Sequence, residues 1–330
     1  MPPAATEARF PHVPEGRGHY ESFYLRAVDP GQPRGAWIRY TVHKRPGQPP
    51  RGSLWFTLFD ANADGPVASK VTLGPHELSA GDGSLMRIGD SVFQPGRVTG
   101  AAKTEQADAS WQLAFEGAPP LRHLPRDWMY RTPIPRTKLE SPSPAATFQG
   151  ELDVDGHRIP VDGWRGMIGH NWGSAHAERW IWMHGVDLDP PGGAWVDVAI
   201  GRVKVGPLTT PWIANGAVWL ADRPLRVGGP AARGTEVHEG PHRCDFVLPG
   251  GQAEIRGHVA APTKDFVGWV YADPDGSEHN TVNCSIAEMR ITVTQGGKHA
   301  AELGTSHGAA YELGMRETDH GVPIQPFPDG

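Results

Sequence analysis

The sequence predicts an all-β protein built as barrels or sandwiches, and three observations carry that expectation. Short β-rich or alternating runs recur at 20–27, 36–43, 53–60, 111–115, 180–188, 194–205, 212–220, 267–272 and 280–294, with Gly, Pro, Asp and Asn between them at turn-like intervals. Almost no stretch combines a 3.6-residue apolar period with helix caps. The 42 Gly and 33 Pro exceed a fifth of the 330 residues, which suits many tight turns, while 12 Trp and regular apolar clusters argue against disorder.

In chain order, 21–26 (Glu-Ser-Phe-Tyr-Leu-Arg) reads as a first barrel strand. A composition shift lies between Arg131 and Pro144, where Thr132-Pro133-Ile134-Pro135 and Ser141-Pro142-Ser143-Pro144 lack regular ladder donors. It reads as an inter-domain connection, dividing the chain into domains 1–143 and 144–330, each large enough for its own core. The tail after Thr318 reads as an irregular arm.

Charge and composition exclude several function classes. With 31 Lys+Arg against 37 Asp+Glu there is no basic field for nucleic acid or an anionic membrane. Cys244 and Cys284 form no C-x-x-C, so neither a disulfide framework nor a cysteine zinc site is indicated. The N-terminus lacks a secretory signal, and no apolar run approaches the roughly 20 residues that span a bilayer. These features predict a cytoplasmic protein without an integral membrane segment. G-x-G-x-x-G after a strand, P-loop and G-x-S-x-G motifs are missing, so neither a nucleotide cofactor nor serine hydrolysis is supported. The segments 236–239 and 273–276 read as solvated loop charge and a turn.

The densest chemistry lies in 169–185, which holds His170, Asn171, Trp172, His176, Glu178, Trp180, Trp182 and His184. As one extended strand it would place His176, Glu178, Trp180, Trp182 and His184 on a single face, suited to a barrel lumen or cleft. The turn signal 187–193 predicts a hairpin between 180–188 and 194–203. With its centre between Pro190 and Pro191, His184 faces Asp197, Val186 faces Trp195 and Trp182 faces Ala199. That gives a His–carboxylate pair beside indoles, an arrangement that can fix a tautomer for acid–base work. The same pair also suits a core in which each member only satisfies the other. His176 and His184 would lie about 27 Å apart on one strand at roughly 3.3 Å per residue, so they cannot share an ion; His176 and Glu178 joined by His170 are geometrically compatible with one, but they match no known zinc spacing, and no metal is expected.

The run His170-Asn171-Trp172-Gly173 followed by Trp180-x-Trp182, and preceded by 150–156 and Gly163-Trp164-Arg165-Gly166, resembles the lipocalin-like superfamily. This superfamily holds the carotenoid hydratases (hydroxyneurosporene synthases), the AttH-like proteins, tocopherol cyclases and certain fungal Diels–Alderases. The resemblance is clearest over 150–197. It implies two lipocalin-like antiparallel barrels packed together, with a hydrophobic substrate in or between them. In the carotenoid hydratases the His and Trp of H-N-W-G and a Tyr-x-Asp pair are associated with catalysis. His170 and Trp172 match the first pair, and Asp197 matches the acid of the second, with Trp195 in place of the Tyr. The hydratases read H-D-H-N-W-G, whereas this chain reads Ile168-Gly169 before His170.

The resulting expectation is a cofactor-independent hydratase, cyclase or isomerase acting on an isoprenoid- or polyketide-like substrate. His170, Asp197 and His184 would be catalytic. Asn171, Trp172, His176, Glu178, Trp180, Trp182 and Trp195 would bind substrate, the indoles adding cation–π attraction of about 0.5–2 kcal/mol per ring. The competing expectation is a lipocalin-like carrier that binds a hydrophobic ligand without chemistry, and a third is that H-N-W-G only cements a domain interface.

Overall fold

The computed structural model describes residues 6–189, 193–229 and 232–328. Its strands form two large antiparallel sheets, one of twelve strands and one of ten, beside a two-stranded ribbon. The sheets curl into two lipocalin-like barrels packed together. Every run expected to be extended falls on strand, except that 194–205 divides into Ala194–Arg202 and Lys204–Val205 and that 212–220 begins one residue later, at Ile213.

Alternation along the strands separates barrel interior from barrel interface. In His19–Val28, Phe23, Leu25 and Ala27 enter the core of the first barrel, together with Ile38, Tyr40, Leu54 and Phe56 from its neighbours. The intervening Tyr24 and Arg26 point the other way, toward the second sheet. Trp37 and Trp55 also leave the first barrel to join a core cluster dominated by the second, and the Trp55 and Trp269 rings meet at 5.0 Å. Arg26 crosses the join fully buried. It donates to the carbonyls of Ser285 at 2.7 Å and Gly308 at 3.0 Å, and to His184 Nδ1 at 2.9 Å.

Four strands of 17 or 18 residues carry much of the architecture: Thr137–Val154, His157–Gly173, Glu278–Gln295 and Lys298–Met315. The first overturns the expected linker, because 137–144 is strand. Register shifts at Glu140/Ser143 and Ser143/Ala146 mark irregularities that place Pro142 and Pro144 where no ladder bond is needed. The expected division at 143/144 therefore falls inside a strand, and the chain passes to the second sheet between Gly173 and Arg179. The segment Glu236–Gly240, expected as loop, is also strand, whereas 273–276 is a turn as expected.

Candidate active site

The hairpin of Arg179–Leu188 with Ala194–Arg202 pairs His184 with Asp197 and Trp182 with Ala199, as the sequence indicated. Its ladder breaks between Gly185 and Leu188, so the expected Val186–Trp195 pairing does not form. The expected turn at Pro190-Pro191 lies outside the described residues. The strand starts only at Arg179, after a turn at 174–178, so His176 and Glu178 do not continue its face. Glu178 instead turns outward beside Arg316, at 3.5 Å.

A cavity of about 250 Å³ opens between the two barrels. Trp180, Trp182, Ile181, Ile200, Trp37 and Leu139 supply apolar wall, while Tyr24, Arg39, Asn171, His176, Asn215, Tyr271 and Glu312 bring polar atoms to it. An apolar pocket with a few convergent polar groups is the usual form of a small-molecule site. Of the site residues expected from sequence, Asn171, His176, Trp180 and Trp182 line it; His170, Trp172, Glu178, His184, Trp195 and Asp197 are not on its wall.

Glu312 is the acid on the cavity wall. Its Oε1 accepts from the Trp180 indole at 2.9 Å, and its Oε2 accepts from the Tyr271 hydroxyl at 3.1 Å and the Asn283 amide at 3.2 Å. Three donors fix the carboxylate without removing it from the cavity. Tyr24 stands edge-on to Trp182 at 5.6 Å. Burial, followed by the nearby Asp197 and Glu312 carboxylates, holds its hydroxyl well above the ordinary phenol value, so it remains a proton-bearing donor at neutral pH. The Arg39 guanidinium lies 4.2 Å above the Tyr271 ring and donates from Nε to Ser22. Asn171 Oδ1 has no hydrogen-bond partner.

Asp197 sits behind this wall, fully buried. It accepts from Ser141 Oγ at 2.5 Å and Trp182 Nε1 at 3.2 Å, and lies 3.3 Å from His123 Nε2. Burial alone would raise its carboxyl, but the His123 charge and hydrogen bond, His184 and the Ser141 hydroxyl bring it down to about 2. It is ionised at neutral pH and holds Trp182. The expected hydrogen-bonded His184–Asp197 pair does not form. Arg26 has only donors, so His184 Nδ1 accepts from it and Nε2–H donates to the Pro144 carbonyl at 2.8 Å. Burial and then the Arg26 charge push His184 down to about 4, leaving it neutral.

His170 is stacked between Phe23 at 4.0 Å and Trp172 at 4.5 Å. Its ring nitrogens bridge Glu21 at 2.8 Å and Glu140 at 3.2 Å. Burial opposes its charge, but Glu140 and Glu21 outweigh that and raise its pKa. Glu21 in turn accepts the backbone N–H groups of Arg9 and Phe10, so this ion pair ties the N-terminal segment to the barrel. Trp195 stacks on Trp219 at 5.8 Å.

The sequence reading missed Tyr24, Arg39, Tyr271 and Glu312. Each has a signal in retrospect: a polar or charged side chain in an otherwise apolar strand, as Glu312 is within 309–315 (Ala-Ala-Tyr-Glu-Leu-Gly-Met).

No family model matches the chain. An uncharacterised protein of Mycobacterium tuberculosis is 29% identical over 321 residues, covering 94% of this chain and 92% of that protein. Among solved structures, a Nitrosomonas europaea protein described as AttH covers 96% of this chain and 100% of its own, with TM-score 0.54 and 16% identity. This chain has the AttH fold. The AttH-like architecture extends to CghA, solved with Sch210972, at TM-score 0.55 and 13% identity over 91% of this chain and 89% of that one. It also includes kievitone hydratase from Nectria haematococca, at TM-score 0.51 and 10% identity over 95% and 97%.

Proposed function

We propose that the inter-barrel cavity is the active site of an acid–base enzyme, a hydratase, cyclase or isomerase, for a hydrophobic substrate of isoprenoid- or polyketide-like character. The observation that carries this reading is the convergence of a carboxylate (Glu312), a protonated phenol (Tyr24) and a guanidinium (Arg39) on one apolar cavity walled by indoles. The apolar wall selects a hydrophobic body and excludes bulk water, which strengthens every polar contact within. Tyr24 and Arg39 are donors for an oxygen that gains negative charge, and Glu312 accepts or relays the proton. Trp180 and Trp182 favour any positive charge that develops on the carbon skeleton. Asp197 and His123 position Trp182 and the Asn215 backbone from behind, and His170 anchors the N-terminal segment. The side chains of this chain suffice for the proton movements, so no organic cofactor is invoked.

The shared architecture with a protein named a hydratase and with a protein solved holding Sch210972 supports an enzyme fold of this kind. Gly169 supports different chemistry from the carotenoid hydratases. A Cβ there would lie 2.1 Å from the Tyr24 ring, so the position where those hydratases carry Asp is here cleared for Tyr24.

The test is mass spectrometry of organic extracts after incubation with a panel of isoprenoids, polyenes and polyketide-like enones. Gain of one water, or an isomer of shifted retention, formed by the wild type and lost in Glu312→Gln, is the expected result. Ligands bound and recovered unchanged across the panel would favour the carrier reading instead.

A further inference from the structure

We propose that His176, Asp273 and His279 form a binding site for one divalent transition-metal ion at the edge of the cavity. The three come from separate parts of the second barrel region: His176 from the turn at 174–178, Asp273 from the turn after Val267–Ala272, and His279 from the strand Glu278–Gln295. One ligand atom from each lies within 4.8 Å of the others, so small side-chain adjustments bring all three to bonding distance of a common ion.

Two imidazoles and one carboxylate suit zinc, iron, cobalt or nickel better than magnesium or calcium, which favour oxygen ligands alone.

Burial separates this cluster from a casual surface grouping. Asp273 and His279 are 2% and 0% exposed, and the His176 side chain is 9% exposed. Asp273 Oδ1 accepts from His176 Nδ1 and from the His176 backbone N–H, both at 2.7 Å. That pairing alone explains why Asp273 and His176 are together. It does not explain His279, whose two ring nitrogens make no hydrogen bond of normal geometry, nor His176 Nε2, which is also unpaired. The Ala177 backbone lies near the His279 ring without making a hydrogen bond of normal geometry to either nitrogen. Buried polar atoms without partners call for an explanation, and an ion supplies one.

Rings enclose the cluster: His176 stacks on Tyr20 at 4.1 Å and Trp180 at 5.1 Å, and His279 lies edge-on to Trp180 at 5.0 Å. Three protein ligands leave a position for water or a substrate oxygen, and His176 is part of the cavity wall. The site goes beyond the acid–base reading and does not rest on it.

The test uses the full chain, stripped with a chelator and titrated with Zn²⁺ against a chromophoric competitor, with no substrate present. The expected result is one ion per chain, with affinity at least ten-fold weaker in His279→Ala and in Asp273→Asn and unchanged in His299→Ala, an exposed histidine. Absence of stoichiometric binding, or wild-type affinity in both site variants, overturns the proposal. Should either variant fail to fold, Co²⁺ added to the wild type decides: it must shift the ring protons of His176 and His279, and shifts confined to other histidines overturn the site. Because no reaction is measured, failure here leaves the acid–base reading untouched.

Discussion

Glu312 meets three donors on two oxygens, and it is the residue whose loss should separate chemistry from binding. Glu312→Gln keeps the volume and most of the hydrogen bonds but cannot take a proton. It is expected to lower kcat by about 10²-fold or more while changing ligand affinity little. Tyr24→Phe removes only a donor and should cost less, about ten-fold, on the scale of one lost hydrogen bond. Titrating ligand into each variant and measuring turnover with the same ligand checks both. His184 makes a prediction of its own. Its pKa is about 4 in the folded chain against 6.5 ordinarily, so between these values the unfolded chain binds the extra proton. Stability should therefore fall as pH drops from about 6.5 to 4, by up to about 3 kcal/mol, with no further loss from this group below that. Thermal melts across this window should show the slope, and His184→Gln should flatten it.

At the scale of strands, what was legible in the sequence and what was not have separate physical causes. Short strands announce themselves by alternation, and the hairpin register that sets His184 opposite Asp197 followed from one turn signal. The hydrogen bonds across that register did not follow. His184 is claimed by Arg26, 158 positions away on another sheet, and nothing local foretells it. The partners of Glu312 are likewise 29 to 132 positions distant, which is why a lone acid in an apolar run was its single sequence signal. Thr137–Val154 was hidden because its irregularities and prolines mimic a linker. Glycines on the long strands then shape the cavity. A Cβ at Gly314 would stand 2.2 Å from the Trp180 indole, and one at Gly169 would meet Tyr24. Both positions act through a ring on the cavity wall. Gly314→Ala and Gly169→Ala should each cost about 1–3 kcal/mol by overpacking and, in the fraction that folds, should lower turnover by displacing that ring. Turnover at full wild-type level with normal melting would show that the rings have room to move.

For the molecule as a whole, the two barrels act as one body only if their join is strong, and Arg26 is its centre. Arg26→Met would strand two carbonyls and an imidazole nitrogen in the buried join, so a loss of about 3–5 kcal/mol is expected in calorimetry. The mouth of the cavity poses the opposite question, how an apolar ligand gets in. Among the described residues, the large hydrophobic side chains left exposed are Trp128, Ile134, Val205 and Leu208. They fall on two segments, 128–135 and 203–208, that also give Met129, Pro135 and Val203 to the cavity lining. Exposed apolar surface confined to the rim of an apolar cavity is what capture of a poorly soluble ligand requires. Replacing Trp128 and Leu208 together by Ser removes no buried contact of the core, so stability should change by no more than about 0.5 kcal/mol per site. Ligand uptake followed by tryptophan quenching in stopped flow should slow several-fold, with the dissociation rate falling in parallel because ligand passes the same lips in both directions. Affinity would then stay nearly constant while both rates drop. If the rates hold and affinity falls, these side chains belong to the bound state rather than to the path.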